Sequence, residues 1–489
     1  MKASHTLLFV LSVFVLLGIG WFFFPAEGVA VGSYELRFPS YAEARQGEQE
    51  ELDVDALLDE VSKSFEMSVS ESLKDSLNFF RDYLTLNPNR IYLPNDDYTY
   101  FDSLFLLLEN AQKDQKVYRV MHYGDSQIEM DRISSVFRQR LQELFGGSGP
   151  GMIPAIQRVA SISVSQSYSG GLTRYTVYGD STTRRAPHKR YGPMTQFSQT
   201  RGQSTISFNR TRNSKAFDKA KEITKVSLLI GYNSDDFRAF LRADTLKTEP
   251  LQAPAKPGVT LLHWDLPHPA GRGTLTLQGS AEVYAVTLDG DYGVALDNIP
   301  LRGCSGTIFT RVNKEVMKES FELLDTRMII LQFGGNRMPG LHGPKSVSSY
   351  MRELEEQIRY FREVAPQATL LFIGPADMGK SYNGKIGTWK GLPELNDSIK
   401  ATVLRNDVAY WDMFHVMGGE GSMAQYVKHK PALAGPDYIH FTFTGAQEIG
   451  NDLAKSFTIY YDLYQLRKKL PEGAFKLQRK KTFESTRYY

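Results

Sequence analysis

KVYRVMHYGDSQIEMDRISSVFRQRLQELFGG, residues 116–147, reads as a strand, a turn and a helix in succession. Residues 116–123 form a short, mostly apolar run bounded by glycine, the pattern of a buried strand. Past Met130 the period changes. Ile133, Val136, Phe137, Leu141 and Leu144 return at three- and four-residue intervals, one face of a helix that stops at Gly146-Gly147. Gly124-Asp125-Ser126 then occupies a strand-to-helix turn. Such a turn exposes the serine hydroxyl and points a helix N-terminus at it.

The same texture returns far downstream. Residues 328–333 read as a strand ending at Gly334-Gly335-Asn336. Tyr350, Leu354, Ile358 and Phe361 mark one face of a helix over 347–364. Strands follow at 368–373 and 408–411, and a long final helix at 444–463. Strands alternating with helices predict a three-layer α/β fold, a parallel sheet flanked by helices.

Between these parts, residues 153–289 carry short alternating runs separated by Gly, Pro, Asn and Asp. That pattern predicts an inserted antiparallel β-sandwich. Its aromatics (Tyr168, Tyr175, Tyr178, Phe197, Trp264 and Tyr284) suit sugar stacking, but a sandwich core needs aromatics too, and core is the reading for most of them.

At 489 residues the chain is long for one domain. A net charge of +2 is too mild to argue for nucleic acid. The single cysteine, Cys304, excludes an internal disulfide and a Cys-based zinc site. Residues 7–24 (LLFVLSVFVLLGIGWFFF) form an apolar run near the lower limit for a transmembrane helix, with Lys2 before it. It is read as an uncleaved anchor. Cleavage at Gly28-Val29-Ala30 is the alternative, and either places the body outside the cytoplasmic membrane. The expected organisation is a membrane anchor over 1–29 and a linker with helical extension over 30–115, including helices over 54–84 and 97–112, the latter capped by Asn95 or Asp96. The α/β domain then occupies 116–152 and 290–465, split by the insert at 153–289, and a basic tail fills 466–489.

The chemistry-bearing residues fall in three distant segments. A serine hydroxyl needs a base, and His440 is the candidate. Asp437, three residues earlier, suits the other ring nitrogen. An oxyanion needs donors: the Ser126 N–H, the Asn336 amide and the Gly306 N–H are the candidates. A second Gly-Asp-Ser at 179–181 leads into no helix and is read as a turn. Asp125 and Asp131 are read as structural, His122 as turned into the core, and Cys304 as a packed small residue. His263 and His268 lack a third ligand at useful spacing.

These segments resemble the SGNH, or GDSL, hydrolase superfamily. GDSQIEMD carries Ser126, RGCSGT carries Gly306, Gly334-Gly335-Asn336 matches the Gly-x-Asn block, and Asp437-x-x-His440 the last. The placement of the insert, and GGSGPGMIP after the first helix, resemble the peptidoglycan O-acetylesterase and O-acetyltransferase branch. There the insert is like a carbohydrate-binding module. The resemblance implies a flavodoxin-like sheet and a Ser126–His440–Asp437 esterase needing no metal or cofactor, acting on an acetylated glycan. The reading is a hydrolase; an O-acetyltransferase of the same fold, working with a membrane-bound acyltransferase partner, would use the same residues, and a silent glycan-binding protein is the third reading, against which the intact triad argues. Arg337 stands where many relatives have an acid and is expected to alter the pocket mouth.

Overall fold

The computed structural model describes residues 3–25, 28–32, 34–37, 73, 75–180 and 182–470. Residues 1–79 and 80–489 form two separate units. In the first, Ala3–Phe23 is a single helix most of whose described apolar side chains, Leu8, Phe14, Leu16 and Phe22 among them, are exposed. Val29–Val31 and Tyr34–Leu36 pair as a small antiparallel hairpin. Among the described residues no helix is long and apolar enough to cross a membrane. The expected membrane span over 1–29 therefore has no structural support. The polar linker and most of the helix expected over 54–84 lie outside the described residues.

The second unit is built on a six-stranded sheet, in the order Gly293–Pro300, Val117–Gly124, Thr326–Gln332, Thr369–Ile373, Ala409–Trp411, Ile91–Tyr92. The first five run parallel. Numbered along the chain, those five stand in the order 2-1-3-4-5 of a flavodoxin-like doubly wound sheet. Alternate side chains explain why the strands read as apolar throughout. Met121, Tyr123, Ile329 and Leu331 join one core beneath helices Pro344–Val364 and Leu392–Arg405. Val120, Met328 and Ile330 join the other, beneath Asp102–Asp114, Ser134–Phe145 and Phe443–Lys468. Burial of both faces removes the alternation a one-sided sheet would show.

Several expected elements differ. Ile91–Tyr92 adds an antiparallel edge strand, so part of the 30–115 extension belongs to the sheet. Two residues are too few to carry a period. The helix expected over 97–112 is Asp102–Asp114, and neither Asn95 nor Asp96 caps it. The basic tail starts later than expected. Arg467 and Lys468 end the last helix and pair with Asp102 and Glu109, while residues 471–489 lie outside the described residues.

The insert is one continuous ten-stranded antiparallel sheet rather than two separate ones. Its hinge is the long strand Gln196–Arg210. Residues 198–200 of that strand pair with Ala281–Asp289, and residues 203–209 with Arg272–Gln278. Its partner Val164–Thr176 carries a bulge between Gly170 and Leu172, where the sheet turns. Phe197, Trp264 and Tyr284 are buried core, whereas Tyr168 is exposed.

Candidate active site

Three strand ends share one rung. Pro300 and Gln332 both lie opposite Gly124 in the parallel register. The loops that follow emerge together, and they carry Arg302 to Gly306, Asp125-Ser126 and Gly334 to Asn336. In an open α/β sheet the crevice forms outside the carboxyl ends where the strand order reverses, here between Val117–Gly124 and Thr326–Gln332. Gly334 has φ +135°, outside the range an L side chain favours, and lets the chain leave its strand sharply.

Ser126 does not begin an α-helix. It opens a 3-10 segment, Ser126–Asp131, and the α-helix starts at Ser134. Asp125 caps the 3-10 segment by accepting the Gln127 N–H. The Ser126 N–H still leads a helical turn with no carbonyl behind it, which leaves a donor at the crevice.

His440 arrives from the loop before the last helix. Asp437 Oδ1 accepts the N–H groups of Ile439 and His440, both at 3.1 Å, closing a tight turn. Its Oδ2 takes His440 Nδ1 at 2.7 Å. One carboxylate thus shapes the loop and orients the ring, which is why three residues separate the pair. Ser126 Oγ lies 2.9 Å from His440 Nε2. The Asp437 carboxyl is partly buried, which opposes ionisation. The His440 ring and the two backbone N–H groups outweigh that burial and hold it below the usual carboxylate range. It is therefore charged at neutral pH and favours an imidazolium beside it.

Two side chains that sequence reasoning left aside join the loops. Gln127 donates to the Ile439 carbonyl at 2.7 Å and accepts from the Phe441 N–H at 3.3 Å, bracketing His440. Arg132 donates to the Phe441 carbonyl at 2.7 Å and the Ser126 carbonyl at 3.3 Å. Both lie within the GDSQIEMDR run, but their partners at Ile439 and Phe441 are more than 300 residues away.

The Asn336 amide faces the same crevice, donating to Asp125 Oδ2 at 3.0 Å and to the Cys304 carbonyl at 3.2 Å. Burial pushes the Asp125 carboxyl up to about 6, against the opposing pull of the Gln127 N–H, His440 and the Asn336 amide. Gly306 stands apart. Its N–H meets Cys304 Sγ at 3.3 Å, and Gly306 does not line the cavity at Ser126. Arg337 likewise turns away from that cavity, to Glu353 and the face of Tyr350. Cys304 is buried, and burial raises its thiol to about 12, so it stays protonated. His122 is buried, Asp180 accepts the Thr182 N–H within a turn, and Asp131 pairs with Arg138. Ser181 lies outside the described residues. Among the described residues, no group of three or more His, Cys, Asp or Glu side chains is placed to hold a metal.

The cavity measures about 260 Å³ and is lined by Ser126, Asn336 and His440 with Met378, Trp389 and Pro375. Polar groups converge on one side and apolar walls face them, which suits a small acyl group. Residues 269–448 match the model of the GDSL-like Lipase/Acylhydrolase family. Over those residues the chain is similar to the GDSL-type esterases. The matched span of the esterase holds Gly306, Asn336, Asp437 and His440, while Ser126 lies before it, across the insert. A solved peptidoglycan O-acetylesterase shares the fold at 16% identity, covering 75% of this chain and 96% of its own, with a TM-score of 0.58. A family two carbohydrate esterase from Cellvibrio japonicus (10% identity, 62% and 99% covered, TM-score 0.24) and one from Clostridium thermocellum with a cello-oligosaccharide (11%, 59% and 98%, 0.25) are more distant. No curated protein sequence matches the chain.

Proposed function

We propose that the esterase removes O-acetyl groups from a cell-envelope carbohydrate, peptidoglycan foremost, through an acyl-enzyme on Ser126. The observation that carries this reading is the unbroken hydrogen-bonded chain Ser126–His440–Asp437 at the mouth of a small, half-apolar cavity. Ser126 Oγ attacks the acetyl carbonyl as His440 Nε2 takes its proton. Asp437 stabilises the resulting imidazolium. The Ser126 N–H and the Asn336 amide then donate to the oxyanion, with the amide giving up one of its resting acceptors. The imidazolium protonates the departing sugar oxygen. Water, deprotonated in turn by His440, releases acetate and frees Ser126.

The His440 and Asp437 side chains are 42% and 48% exposed, so solvent reaches the base directly, which favours hydrolysis over transfer. The choice of glycan follows the relative of like fold. The proposal extends to location: attachment to the outer face of a cell membrane through the apolar helix Ala3–Phe23. Its support is the run over residues 7–24 and the exposure of most of the described side chains in that helix.

The test uses the full chain in detergent, with Ser126→Ala beside it, on p-nitrophenyl acetate and on acetylated peptidoglycan. The expected result is a loss of kcat of more than about 10³-fold in the variant, with an unchanged circular dichroism spectrum. Equal turnover in the two proteins would remove Ser126 from the mechanism. Acetylated acceptor sugar appearing in place of free acetate would convert the reading to the transferase.

A further inference from the structure

A second, larger cavity of about 700 Å³ is lined by residues of the inserted sheet and of the parallel one. Its floor includes Pro300, which lies opposite Gly124 in the sheet. Its wall includes Glu129, three residues after Ser126 and so within about 11 Å of it by chain length alone. Glu129 is buried and gripped through both oxygens by Arg302, at 2.7 and 2.6 Å. Asp131 in the same wall is likewise paired, with Arg138.

Arg158 and Arg174 are different. Both line the cavity, and among the described residues neither has a carboxylate partner. Arg174 is half-buried, and its Nε donates to the Gln196 side chain. Arg158 and Arg185 stand close enough to repel its charge. Arg158 is exposed at the rim and Arg174 is half-buried, so an anion received between them would relieve a repulsion that solvent screens only in part. A planar guanidinium is the side chain suited to receiving a carboxylate on two parallel hydrogen bonds. Gln157 and Tyr178 add groups able to meet sugar hydroxyls. Asp180 also lines the cavity, so a singly charged group fits it better than a dianion.

We propose that this cavity binds a carboxylate carried by the glycan whose ester is presented to Ser126. Arg158 and Arg174 receive the carboxylate. The polymer then runs from the larger cavity past Glu129 and Met130 into the smaller one, which gives the enzyme a preference for acidic glycans. This deepens the esterase reading and rests on it for the polymer's direction. Binding itself can be tested without turnover.

The full-length Ser126→Ala protein in detergent is titrated by calorimetry with a uronic-acid oligosaccharide and with its carboxyl-reduced counterpart. The expected result is at least about tenfold tighter binding of the acidic form, weakening as salt rises. Adding Arg158→Gln and Arg174→Gln should erase that difference and leave binding of the reduced form unchanged. With Ser126 restored, the double glutamine variant should hydrolyse p-nitrophenyl acetate within about twofold of the unsubstituted protein, which shows that it is folded. Equal binding of acidic and reduced forms, or no effect of the arginine changes, overturns the proposal. So does tighter binding of a phosphorylated oligosaccharide than of the acidic one. Failure of Ser126-dependent ester turnover would instead sink the esterase mechanism and leave the binding result standing.

Discussion

Asp125 accepts the Gln127 N–H on one oxygen and the Asn336 amide on the other, so it shapes the serine turn and aims an oxyanion donor together. Its carboxyl is buried and raised to about 6 from an unfolded value of 3.8. The unfolded chain gives up this proton first. The group therefore stabilises the fold most below pH 3.8, and that contribution is lost as pH rises through 6. The shift amounts to about 3 kcal/mol. His122 works in the opposite sense. Burial lowers it to about 4 from 6.5, so the unfolded chain takes up its proton first, and about 3 kcal/mol is lost as pH falls from 6.5 to 4. Between pH 4 and 6 the two slopes oppose each other. Asp125→Asn should remove one and expose the other, so that urea-unfolding free energy falls steeply from pH 6.5 to 4 in the variant and changes little in the parent. The variant should also lose activity at neutral pH, because an asparagine presents an NH₂ where Asn336 needs an acceptor. An equally flat stability profile in both proteins would refute the opposed-slope account.

At the scale of elements, the loop carrying Asp437 and His440 is clasped against the start of the last helix. Gly435 donates to the His440 carbonyl, Ala434 bridges Phe441, and Thr442 donates to the Ala432 carbonyl. Gly445 makes the clasp possible, since a Cβ there would lie 1.9 Å from the Leu433 carbonyl oxygen. Gly445→Ala must push loop and helix apart. It should cost about 1–3 kcal/mol in urea unfolding and lower kcat by moving His440 from Ser126. A variant as active and as stable as the parent would show that the loop is not held there. This clasp was invisible in the sequence because glycine near a helix start reads as a weak helix former. The Asp437-x-x-His440 turn was legible, since its hydrogen bonds close within four residues. The long helices were legible too, each burying one apolar face: the expected 347–364 is Pro344–Val364, and 444–463 is Phe443–Lys468. The start of the helix after Ser126 was not, because Glu129 and Met130 break helical geometry without breaking the apolar spacing.

Across the whole second unit, the inserted sheet and the parallel sheet are joined by a buried ionic cluster. Arg119 of the first parallel strand meets Asp289 at the end of the insert and Asp297 of the neighbouring parallel strand, and the Met152 N–H donates to Asp297 at 2.7 Å. All three charged side chains are buried. Removing the cation strands two carboxylates away from water. Arg119→Met should therefore cost about 3–5 kcal/mol, and differential scanning calorimetry should show the insert melting apart from the α/β part. An unchanged single transition would mean that the junction is held by its apolar contacts alone. Apolar period and local turn chemistry were enough to read a helix-covered parallel sheet and an inserted antiparallel region, and the resemblance of the short blocks to a known family singled out the candidate Ser126, Asp437, His440 and Asn336. Both signals act over a few residues, so a linear reading captures them. The partners of Gln127 and Arg132, the acceptors of Asn336, the pairing of Arg337 with Glu353, the Arg119 cluster and the lack of a carboxylate partner at Arg158 and Arg174 among the described residues were decided by tertiary structure. The partners of Gln127 and Arg132 and the acceptors of Asn336 depend on which distant segments the 2-1-3-4-5 strand order brings to the carboxyl ends of the strands, and residue spacing carries no record of that meeting.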